Sequence, residues 1–260
     1  MNAVAHASLR DDGAVHVWHG RAPDALGPDD TALLSDEETR KARRLPATAS
    51  LRYAAAHAAV RRVLAGHLGV PPRDLVLGRH PCPRCAHPRH GRPRIDWPPT
   101  DLEFSLSRSG PHWLLAVGAG QRLGVDLEGG RPLDVEGASR LVLSASELAH
   151  LRAAPDDTAR RHAFFRCWTR KEAVVKAVGV GIATDLDGVD TRPADDPVLV
   201  TCAEGTGPGS WLVQDLPMPE GVFAALAREA GRAGPVVFRH HPGTTDSGAD
   251  TAHTREVGVR

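Results

Sequence analysis

The sequence predicts an α+β fold made of two similar halves, each with a mostly antiparallel sheet and one long helix. The first observation is a repeat: LSDEETRKARRLPATASLRYAAAHAAVRRVLAGHLG, which starts at Leu34, resembles LSASELAHLRAAPDDTARRHAFFRCWTRKEAVVKAVG, which starts at Leu143. The second is that strand-like segments follow, and HWLLAVGA from His112 has a counterpart in GVFAALAR from Gly221, 109 positions later. Short alanine-rich segments can match by chance, but the shared order and offset favour a duplication.

Each repeat is predicted to begin with a short helix followed by a longer one. Ser35 and Ser144, also 109 positions apart, each start a Ser-x-x-Glu pattern. This is a capping box, in which a serine hydroxyl and a glutamate carboxylate accept N–H groups at a helix start. The longer segments end at Gly69 and Gly179, and glycine readily takes the left-handed conformation that terminates a helix.

The segments after the helices suggest the strands and the domain boundaries. LEFSLSRSG, HWLLAVGA and RLGVDLE are predicted to be strands joined by tight turns. We expect an N-terminal half over 1–120 and a C-terminal half over 121–241, with the boundary between Gly118 and Arg122. The tail over 242–260 has no apolar periodicity and is predicted to be disordered.

The composition argues against several classes of protein. Lysine plus arginine equals aspartate plus glutamate at 32 each, so the net charge does not indicate a nucleic-acid or acidic-membrane partner. No apolar run reaches the roughly 20 residues of a membrane span, and the N-terminus lacks a signal-peptide pattern. Four scattered cysteines do not form a secreted disulfide framework. We therefore expect a cytoplasmic protein that binds neither nucleic acid nor membrane.

The segment GVDLEGG carries the first candidate site. Side chains alternate along a strand, so Asp126 and Glu128 point to one face while Val125 and Leu127 point to the other. Two carboxylates at this spacing can share Mg²⁺, which prefers oxygen ligands. For an isolated Asp-x-Glu, the alternative is a strand with one solvated face.

The helical segment FFRCWTRKEAVVKA carries the second candidate site. At about 100° per residue, Lys171, Glu172 and Lys176 fall on the same side of the helix as Trp168. A buried glutamate is costly unless it is paired or bound to a metal. Glu172 therefore either pairs with Lys176, one turn further on, or shares a metal with the two strand carboxylates.

Two basic segments could bind phosphate. Ser107, Arg108 and Ser109 end a strand at a glycine turn, where hydroxyls and a guanidinium can hold a phosphate, although Ser-x-Ser before glycine is also ordinary turn chemistry. The basic helix around Lys41 and Arg44 is either a solvated face or a polyanion site. It has no interleaved aromatic residues and is a poor platform for single-stranded nucleic acid.

The segment CPRCAHPRHGRP places Cys82, Cys85, His87 and His90 within nine residues. Structural zinc sites usually take their second pair of ligands from a distant loop, and four ligands this close strain a tetrahedron. The spacing therefore favours a free thiol pair or a disulfide over zinc.

In combination these motifs resemble a known family. GVDLE, followed about forty residues later by WTRKEAVVKAVGVG, is similar to the signature of the 4′-phosphopantetheinyl transferases, in particular the larger, monomeric type that activates surfactin synthetase. HGRPRI, RKARRL and FSLSRSG resemble further segments of that family, and the similarity covers about Leu34 to Gly181, with continuation to Arg228. Members of the family are pseudo-dimers of two α+β halves with the active site in the cleft between them.

The resemblance implies a reaction. Phosphopantetheine would be transferred from coenzyme A to a serine hydroxyl of an apo acyl or peptidyl carrier protein, with release of adenosine 3′,5′-bisphosphate. Mg²⁺, for which Mn²⁺ could substitute, would lie on Asp126, Glu128 and Glu172, because metal ions neutralise the charge of a pyrophosphate. The expected partners are carriers of polyketide, nonribosomal-peptide or fatty-acid synthesis, and a monomer is expected.

The resemblance also assigns individual roles. Glu172 would take the serine proton, directly or through a metal-bound water, and Lys176 would stabilise or protonate the leaving phosphate. Lys171 would lie along the pyrophosphate. The cations expected at the nucleotide 3′-phosphate are Lys41, Arg79 and Arg92, with Arg44 and Arg52 as further candidates. Arg108 stands where many members have histidine, so activity should depend less on pH near neutrality.

Two other functions are weighed against this one. A non-catalytic module of the same fold could bind carrier domains, but it would have no need of Asp126, Glu128, Glu172 and Lys176 together. A divalent-metal phosphohydrolase would also suit the carboxylates, and it would release adenosine bisphosphate without modifying a carrier.

Overall fold

The structure, a computed structural model, describes residues 9–87, 90–129, 133–180, 186–202, 209–232 and 234–241, and in addition one three-residue strand. Within these ranges the α-helices are α1 (Pro28–Thr31), α2 (Asp36–Arg43), α3 (Ala47–Leu68), α4 (Val135–Val142), α5 (Ala145–Arg152) and α6 (Asp157–Val178). The strands are β1 (Val15–Arg21), β2 (Val76–Arg79), β3 (Pro93–Trp97), β4 (Leu102–Ser109), β5 (His112–Ala119), β6 (Leu123–Gly129), β7 (Val198–Thr201), β8 (Ser210–Asp215), β9 (Val222–Glu229), β10 (Val236–His240) and β11 (Arg255–Val257). The predicted α+β class is confirmed. Among the described residues, no helix combines the length and the apolar composition needed to cross a membrane.

Two larger sheets and one hairpin organise these strands. The first sheet has the order β11-β10-β1-β5-β4, and the second has the order β6-β9-β8-β7. The strand pairs described in them are antiparallel, except that β1 and β10 are parallel. β2 and β3 form the separate hairpin. Both halves therefore have the mostly antiparallel sheet that the sequence predicts.

A shared apolar core joins the two sheets. Leu114 and Ala116 of β5 pack in one buried cluster with Val125 and Leu127 of β6. Two further clusters lie between α3 and the first sheet and between α6 and the second sheet. The halves thus share part of their interior, which fixes the position of β6 relative to the first sheet.

The two capping boxes predicted from the repeat are both present. The Glu38 N–H donates to the Ser35 hydroxyl at 3.2 Å, and the Glu38 carboxylate accepts the Ser35 N–H at 2.8 Å. Ser144 and Glu147 make the same pair of bonds. The helices that follow, α2 and α5, are both eight residues long.

The long helices are also alike. α3 and α6 contain 22 residues each, and α6 lies 110 positions after α3. Both end at a left-handed glycine, with φ of 70° at Gly69 and 88° at Gly179, a conformation that glycine takes without strain. These elements follow the order that a duplication predicts, and the duplication itself stays a prediction.

A buried ion pair ties α2 to α3 in the first half. Arg61 is 3% exposed, and its guanidinium donates to Glu38 and to the Leu75 carbonyl oxygen, both at 2.9 Å. His57 also lies 2.9 Å from Glu38. Burial disfavours the charged carboxylate, but hydrogen bonds from His57 and Ser35 and the charge of Arg61 outweigh it and lower the pKa of Glu38 to about 2.

Two features go beyond the predicted domain organisation. β10 lies in the segment 121–241 assigned to the C-terminal half, yet it pairs with β1 of the first half. Of the tail predicted to be disordered, Arg255–Val257 pairs with β10, and the rest, from Pro242 onward, lies outside the described residues. Strand pairing satisfies backbone N–H and C=O groups whatever the side chains are, so side-chain periodicity does not reveal which strand pairs with which.

Candidate active site

β6 places two carboxylates on the side facing away from the shared core. Val125 and Leu127 are fully buried in that core, and alternation turns Asp126 and Glu128 to the other side. Asp126 is only 4% exposed. A solvated strand face, the alternative left open for the Asp-x-Glu motif, therefore does not describe Asp126.

A glycine lets α6 approach this strand. A Cβ added at Gly124 would lie 2.1 Å from the Ala173 carbonyl oxygen and 2.5 Å from the Ala177 nitrogen. Glycine in a strand permits such a close approach of two backbones. Glu172 and Lys176 lie next to these contacts on α6, so the approach brings them to the β6 carboxylates.

Asp126 is held through one of its two oxygens. Its Oδ1 accepts from the Lys176 ammonium at 2.6 Å and from the Ser107 hydroxyl at 2.8 Å. Lys176 also donates to the Ser107 oxygen at 2.9 Å. The ion pair of Lys176 is with Asp126, so the pairing with Glu172, one of the two alternatives left open, is not observed. The Ser107 hydroxyl donates to a carboxylate, and its contact with a phosphate stays a prediction.

Glu128 is held through both of its oxygens. The Ser109 hydroxyl donates to Oε2 at 2.9 Å, and the Trp168 indole N–H donates to Oε1 at 3.3 Å. Trp168, which the helical periodicity places on the same side of the helix as Glu172, therefore takes part in orienting a carboxylate.

Glu172 is a buried carboxylate among like charges. It is 7% exposed. Burial contributes most to raising its pKa, and the charges of Asp126 and Glu128 raise it further against the opposing effect of Lys176, so that it reaches about 7. A carboxyl group with such a pKa can accept or release a proton near neutral pH.

Two oxygens of this cluster are left for a cation. Asp126 Oδ2 and Glu172 Oε1 are buried, and neither has a hydrogen-bond partner among the described residues. A buried carboxylate oxygen without a partner is unfavourable, and a hard, oxygen-seeking cation such as Mg²⁺ would remove the penalty. In the described part of the chain, no group of three or more His, Cys, Asp or Glu side chains is placed to hold a metal alone. The set therefore fits Mg²⁺ in its usual protein form, with one or two carboxylates and the remaining ligands from substrate phosphate and water.

A second cluster gathers predicted phosphate-binding cations around Tyr53, the only tyrosine in the sequence. The Lys41 ammonium lies 5.3 Å from the centre of its ring and the Arg108 guanidinium carbon 4.8 Å from it. Arg79 is close enough for its charge to act on the Tyr53 hydroxyl. The ring stacks on His57, with 4.1 Å between ring centres. Three of the predicted cations thus come together near one aromatic ring, and an aromatic face attracts positive charge.

The other predicted cations are placed differently. Arg92 donates to Glu103 at 2.6 Å and is 13% exposed, so a phosphate contact would require this ion pair to open. A Cβ at Gly179 would lie 2.8 Å from the Arg92 side chain, which places Arg92 at the end of α6. Arg44 is the exposed C-cap residue of α2, and Arg52 is half-buried on α3.

Lys171 is part of the scaffold. It is fully buried, its ammonium lies 2.8 Å from Glu147, and it donates to the Leu186 carbonyl oxygen at 2.7 Å and to that of Val189. These contacts correct the prediction that Lys171 lies along a pyrophosphate. Lys171 stands 110 positions after Arg61, and both cations join the capping-box glutamate of their half to a backbone carbonyl beyond the long helix.

The buried charged residues of α6 are not confined to the side of Trp168. Arg170, on the face opposite Trp168, is also fully buried, and its guanidinium lies 2.7 Å from Asp215 and 3.2 Å from Asp196. From Ala173 to Val178 every residue except Lys176 is buried. The helix is covered on most sides, so the helical pattern alone could not separate its site residues from its core residues.

The cysteine and histidine segment lies outside both clusters. Cys82 is buried, Cys85 is exposed, and both thiols are free, as the spacing favours. Cys85 Sγ lies 3.3 Å from His90 Nδ1, and the His87 and His90 ring centres are 4.4 Å apart. The preference for thiols over zinc at this segment stays a prediction.

The second half of this chain is similar in sequence to known proteins, and one of them is similar over most of the chain. A family model described as the 4′-phosphopantetheinyl transferase superfamily matches residues 122–227, the range of β6, α6 and most of β9. The 4′-phosphopantetheinyl transferase HetI of Nostoc sp. is 33% identical over 221 residues, which is 82% of this chain and 86% of the relative. The chain belongs to the 4′-phosphopantetheinyl transferase superfamily. The family predicted from the motifs is thereby confirmed, and the chain is an enzyme of the transferase class.

Other phosphopantetheinyl transferases match over shorter stretches. The 4′-phosphopantetheinyl transferase Sfp of Bacillus subtilis is 32% identical over 107 residues, which is 41% of this chain and 46% of the relative. The 4′-phosphopantetheinyl transferase AcpT of Salmonella typhi is 35% identical over 112 residues, which is 43% of this chain and 57% of the relative.

Three residues of this phosphopantetheinyl transferase were not assigned their roles from the motifs. Gly124 is the first residue of the GVDLE motif, but the motif does not show that α6 packs directly against it. Trp168 was visible as an aromatic residue on a helix. Tyr53 is the single tyrosine of the chain and directly follows Arg52 on α3, so the prediction that the basic segment has no aromatic residue among its cations was wrong at this position.

Proposed function

We propose that this transferase moves 4′-phosphopantetheine from coenzyme A to a serine hydroxyl of an apo acyl or peptidyl carrier protein, with release of adenosine 3′,5′-bisphosphate. The observation that carries the proposal is the pair of buried, unpartnered carboxylate oxygens on Asp126 and Glu172, beside the partly exposed Lys176 ammonium. Carboxylates that could bind a cation and an ammonium group that could bind a phosphate therefore lie side by side. The names of the relatives support the same chemistry.

The carboxylates support a divalent cation at this position. The unpartnered oxygens of Asp126 and Glu172 would hold Mg²⁺, or Mn²⁺ in its place. Glu128, the third predicted ligand, lies close enough for its charge to act on Glu172. When bound, the ion would neutralise charge that develops on the pyrophosphate of coenzyme A. The raised pKa of Glu172 supports this proposal. Carboxylates close to one another disfavour the charged form, and a cation bound beside them would stabilise it.

The side chains of the cluster supply the proton transfers. The serine oxygen of the carrier attacks the phosphorus atom that bears the pantetheine arm, and the bond from this phosphorus to the bridging oxygen breaks with its electron pair going to adenosine bisphosphate. Glu172 accepts the serine proton, directly or through a water. Lys176, 30% exposed and 2.6 Å from Asp126, neutralises or protonates the leaving oxygen.

The cluster around Tyr53 suits the nucleotide end of coenzyme A. Lys41, Arg79 and Arg108 would contact the 3′-phosphate, and the first and the last of them also lie over the Tyr53 ring. Arg108 precedes Ser109 on β4, and alternation turns it to the opposite face from the serines that bind the β6 carboxylates. One strand would then serve both ends of the substrate, the nucleotide on one face and the pyrophosphate site on the other.

Mass spectrometry of a purified apo carrier domain tests the proposal. Incubation with the protein, coenzyme A and Mg²⁺ should add the mass of one phosphopantetheine, and Glu172→Gln should lower the rate by about 10²-fold or more. Glu136→Gln is the matched control, because Glu136 lies on α4 with 78% of its side chain exposed, and it should act like the wild type.

Three outcomes would contradict the proposal. No mass gain with polyketide, nonribosomal-peptide and fatty-acid carriers would reject the transfer. Release of adenosine bisphosphate without carrier modification would indicate a phosphohydrolase instead. A Glu172→Gln enzyme as fast as the wild type would reject the assignment of the site.

A further inference from the structure

Three alternate serines of β4 join the first sheet to the second. Each hydroxyl oxygen accepts a backbone N–H of β6, in the pairs Ser105–Val125, Ser107–Leu127 and Ser109–Gly129, at 3.1, 3.3 and 3.0 Å. β4 and β6 run in the same direction along this seam, since the paired numbers rise together. The serine side chains thus take the place of a backbone ladder between the two sheets.

Two of these serines have a second bond, and its direction is fixed. The Ser107 hydroxyl donates to Asp126 Oδ1 at 2.8 Å, and the Ser109 hydroxyl donates to Glu128 Oε2 at 2.9 Å. In both cases the carboxylate belongs to the residue before the β6 N–H donor. At the first step of the seam that residue is Gly124, which has no side chain.

We propose that Ser109 is a positioning residue for Glu128, and that Ser107 has the corresponding role for Asp126. The inference rests on the proposed function, because it assigns the serines to the cation site of the transfer reaction. A serine hydroxyl has one proton to donate. Since the β6 N–H fixes the serine oxygen, this proton is aimed at the adjacent carboxylate and holds it in one orientation.

The consequence for the site differs between the two carboxylates. At Asp126 the serine and Lys176 occupy Oδ1 and leave Oδ2 available. At Glu128, Ser109 and Trp168 hold the two oxygens from opposite ends of the carboxylate, and each oxygen keeps a second lone pair for a cation. Without Ser109, the longer and half-buried Glu128 side chain would lose its stronger restraint.

Mn²⁺ titration of the full chain by isothermal calorimetry, alone and with coenzyme A, tests this role apart from turnover. Hydrogen-bond partners of metal ligands typically contribute about 10–100-fold in affinity or activity, so Ser109→Ala should weaken Mn²⁺ binding by about tenfold or more. Ser109→Thr keeps the hydroxyl and should bind Mn²⁺ with the wild-type affinity. Ser105→Ala is the matched control: it removes the same backbone bond where no carboxylate is attached, and it should leave Mn²⁺ affinity unchanged.

The carrier assay supplies the second measurement. Ser109→Ala should raise the Mg²⁺ concentration needed for half-maximal transfer while leaving the KM for coenzyme A near the wild-type value. Urea unfolding should show similar losses of stability in Ser109→Ala and Ser105→Ala, which separates positioning from folding.

The outcomes distinguish this inference from the proposed function. If the wild type modifies carriers but Ser109→Ala and Ser105→Ala bind Mn²⁺ equally well, the serines only join the sheets and the inference is wrong. If the wild type binds Mn²⁺ with the expected pattern but modifies no carrier, the positioning role stands and the transfer reaction is rejected. If the wild type binds no Mn²⁺ in either condition, both are rejected.

Discussion

Replacing Gly124 by alanine should separate α6 from β6 and thereby disrupt the site. The added Cβ would lie 2.1 Å from the Ala173 carbonyl oxygen, 2.5 Å from the Ala177 nitrogen and 3.1 Å from the Lys176 carbonyl carbon. The nearest of these contacts must open from 2.1 Å to about 3.4 Å to become ordinary. All three atoms belong to the backbone of α6, so the helix has to move as a unit.

The shift has a cost in stability and a larger cost in activity. Overpacking of this kind typically destabilises by about 1–3 kcal/mol. A misplacement of catalytic groups by about 1 Å can lower activity by about 10²-fold, and here the displaced groups are Glu172 and Lys176. We therefore expect a protein that still folds but transfers phosphopantetheine at about one hundredth of the wild-type kcat/KM.

The assay pairs transfer kinetics with urea unfolding, and Gly66→Ala is the control. Gly66 lies in α3, and a Cβ there would meet nothing within 4 Å. Alanine in an exposed helix position should stabilise by about 0.5–1 kcal/mol and leave kcat/KM unchanged. A folded Gly124→Ala enzyme with wild-type kcat/KM would show that the close approach of α6 to β6 does not set the position of Glu172 and Lys176.

Three further predictions concern charges. Glu38→Gln should lower the free energy of unfolding by about 2 kcal/mol. Because the pKa of Glu38 falls from 4.5 to about 2 on folding, this loss should be complete above pH 4.5 and vanish toward pH 2 in urea unfolding measured at several pH values. The control Glu37→Gln, at an exposed position, should show no such loss. Lys171→Met should lose about 3–5 kcal/mol by leaving Glu147 buried and unpaired, and adding Glu147→Gln should recover part of it; a raised KM for coenzyme A in the folded double variant would instead place Lys171 at the substrate. Arg108→His should make the KM for coenzyme A rise as pH increases through about 6.5, the ordinary histidine pKa, and an unchanged pH profile would count against a phosphate contact.

The features that the sequence predicted correctly depend on residues close together along the chain. A capping box needs only a serine and a glutamate three positions later, and both boxes, at Ser35 and at Ser144, are present. Strand alternation likewise needs only neighbouring residues, and it separates Asp126 from the buried Val125 and Leu127. These patterns are enough for the fold class and for one side of the site.

The features that could not be predicted depend on which segments meet in space. Periodicity places Lys171 and Glu172 on the same side of α6, yet one contacts the segment at Leu186 and the other faces β6. A helical pattern specifies angle but not the identity of the neighbour. The contact of Ser107 with Asp126 could not be predicted either. It depends on β4 lying beside β6, and no local sequence pattern shows that these two strands meet.

The correspondence of the long helices separates scaffold from chemistry within the motif WTRKE. With α6 lying 110 positions after α3, Lys171 corresponds to Arg61, and both are buried cations bound to a capping-box glutamate. Glu172 and Lys176 correspond to Arg62 and Gly66, and Arg62 pairs at the surface with Asp30 at 2.5 Å.

A buried basic side chain paired with a glutamate is therefore common to both halves, whereas Glu172 and Lys176 are particular to the half with the proposed metal site. It follows that loss of activity means different things at adjacent positions. In Lys171→Met it should accompany loss of the folded state, whereas in Glu172→Gln it should occur in a protein at least as stable as the wild type, since the substitution removes a buried charge whose Oε1 has no partner among the described residues. Measuring unfolding and transfer on the same two variants would decide between a motif that is catalytic throughout and one that is half scaffold.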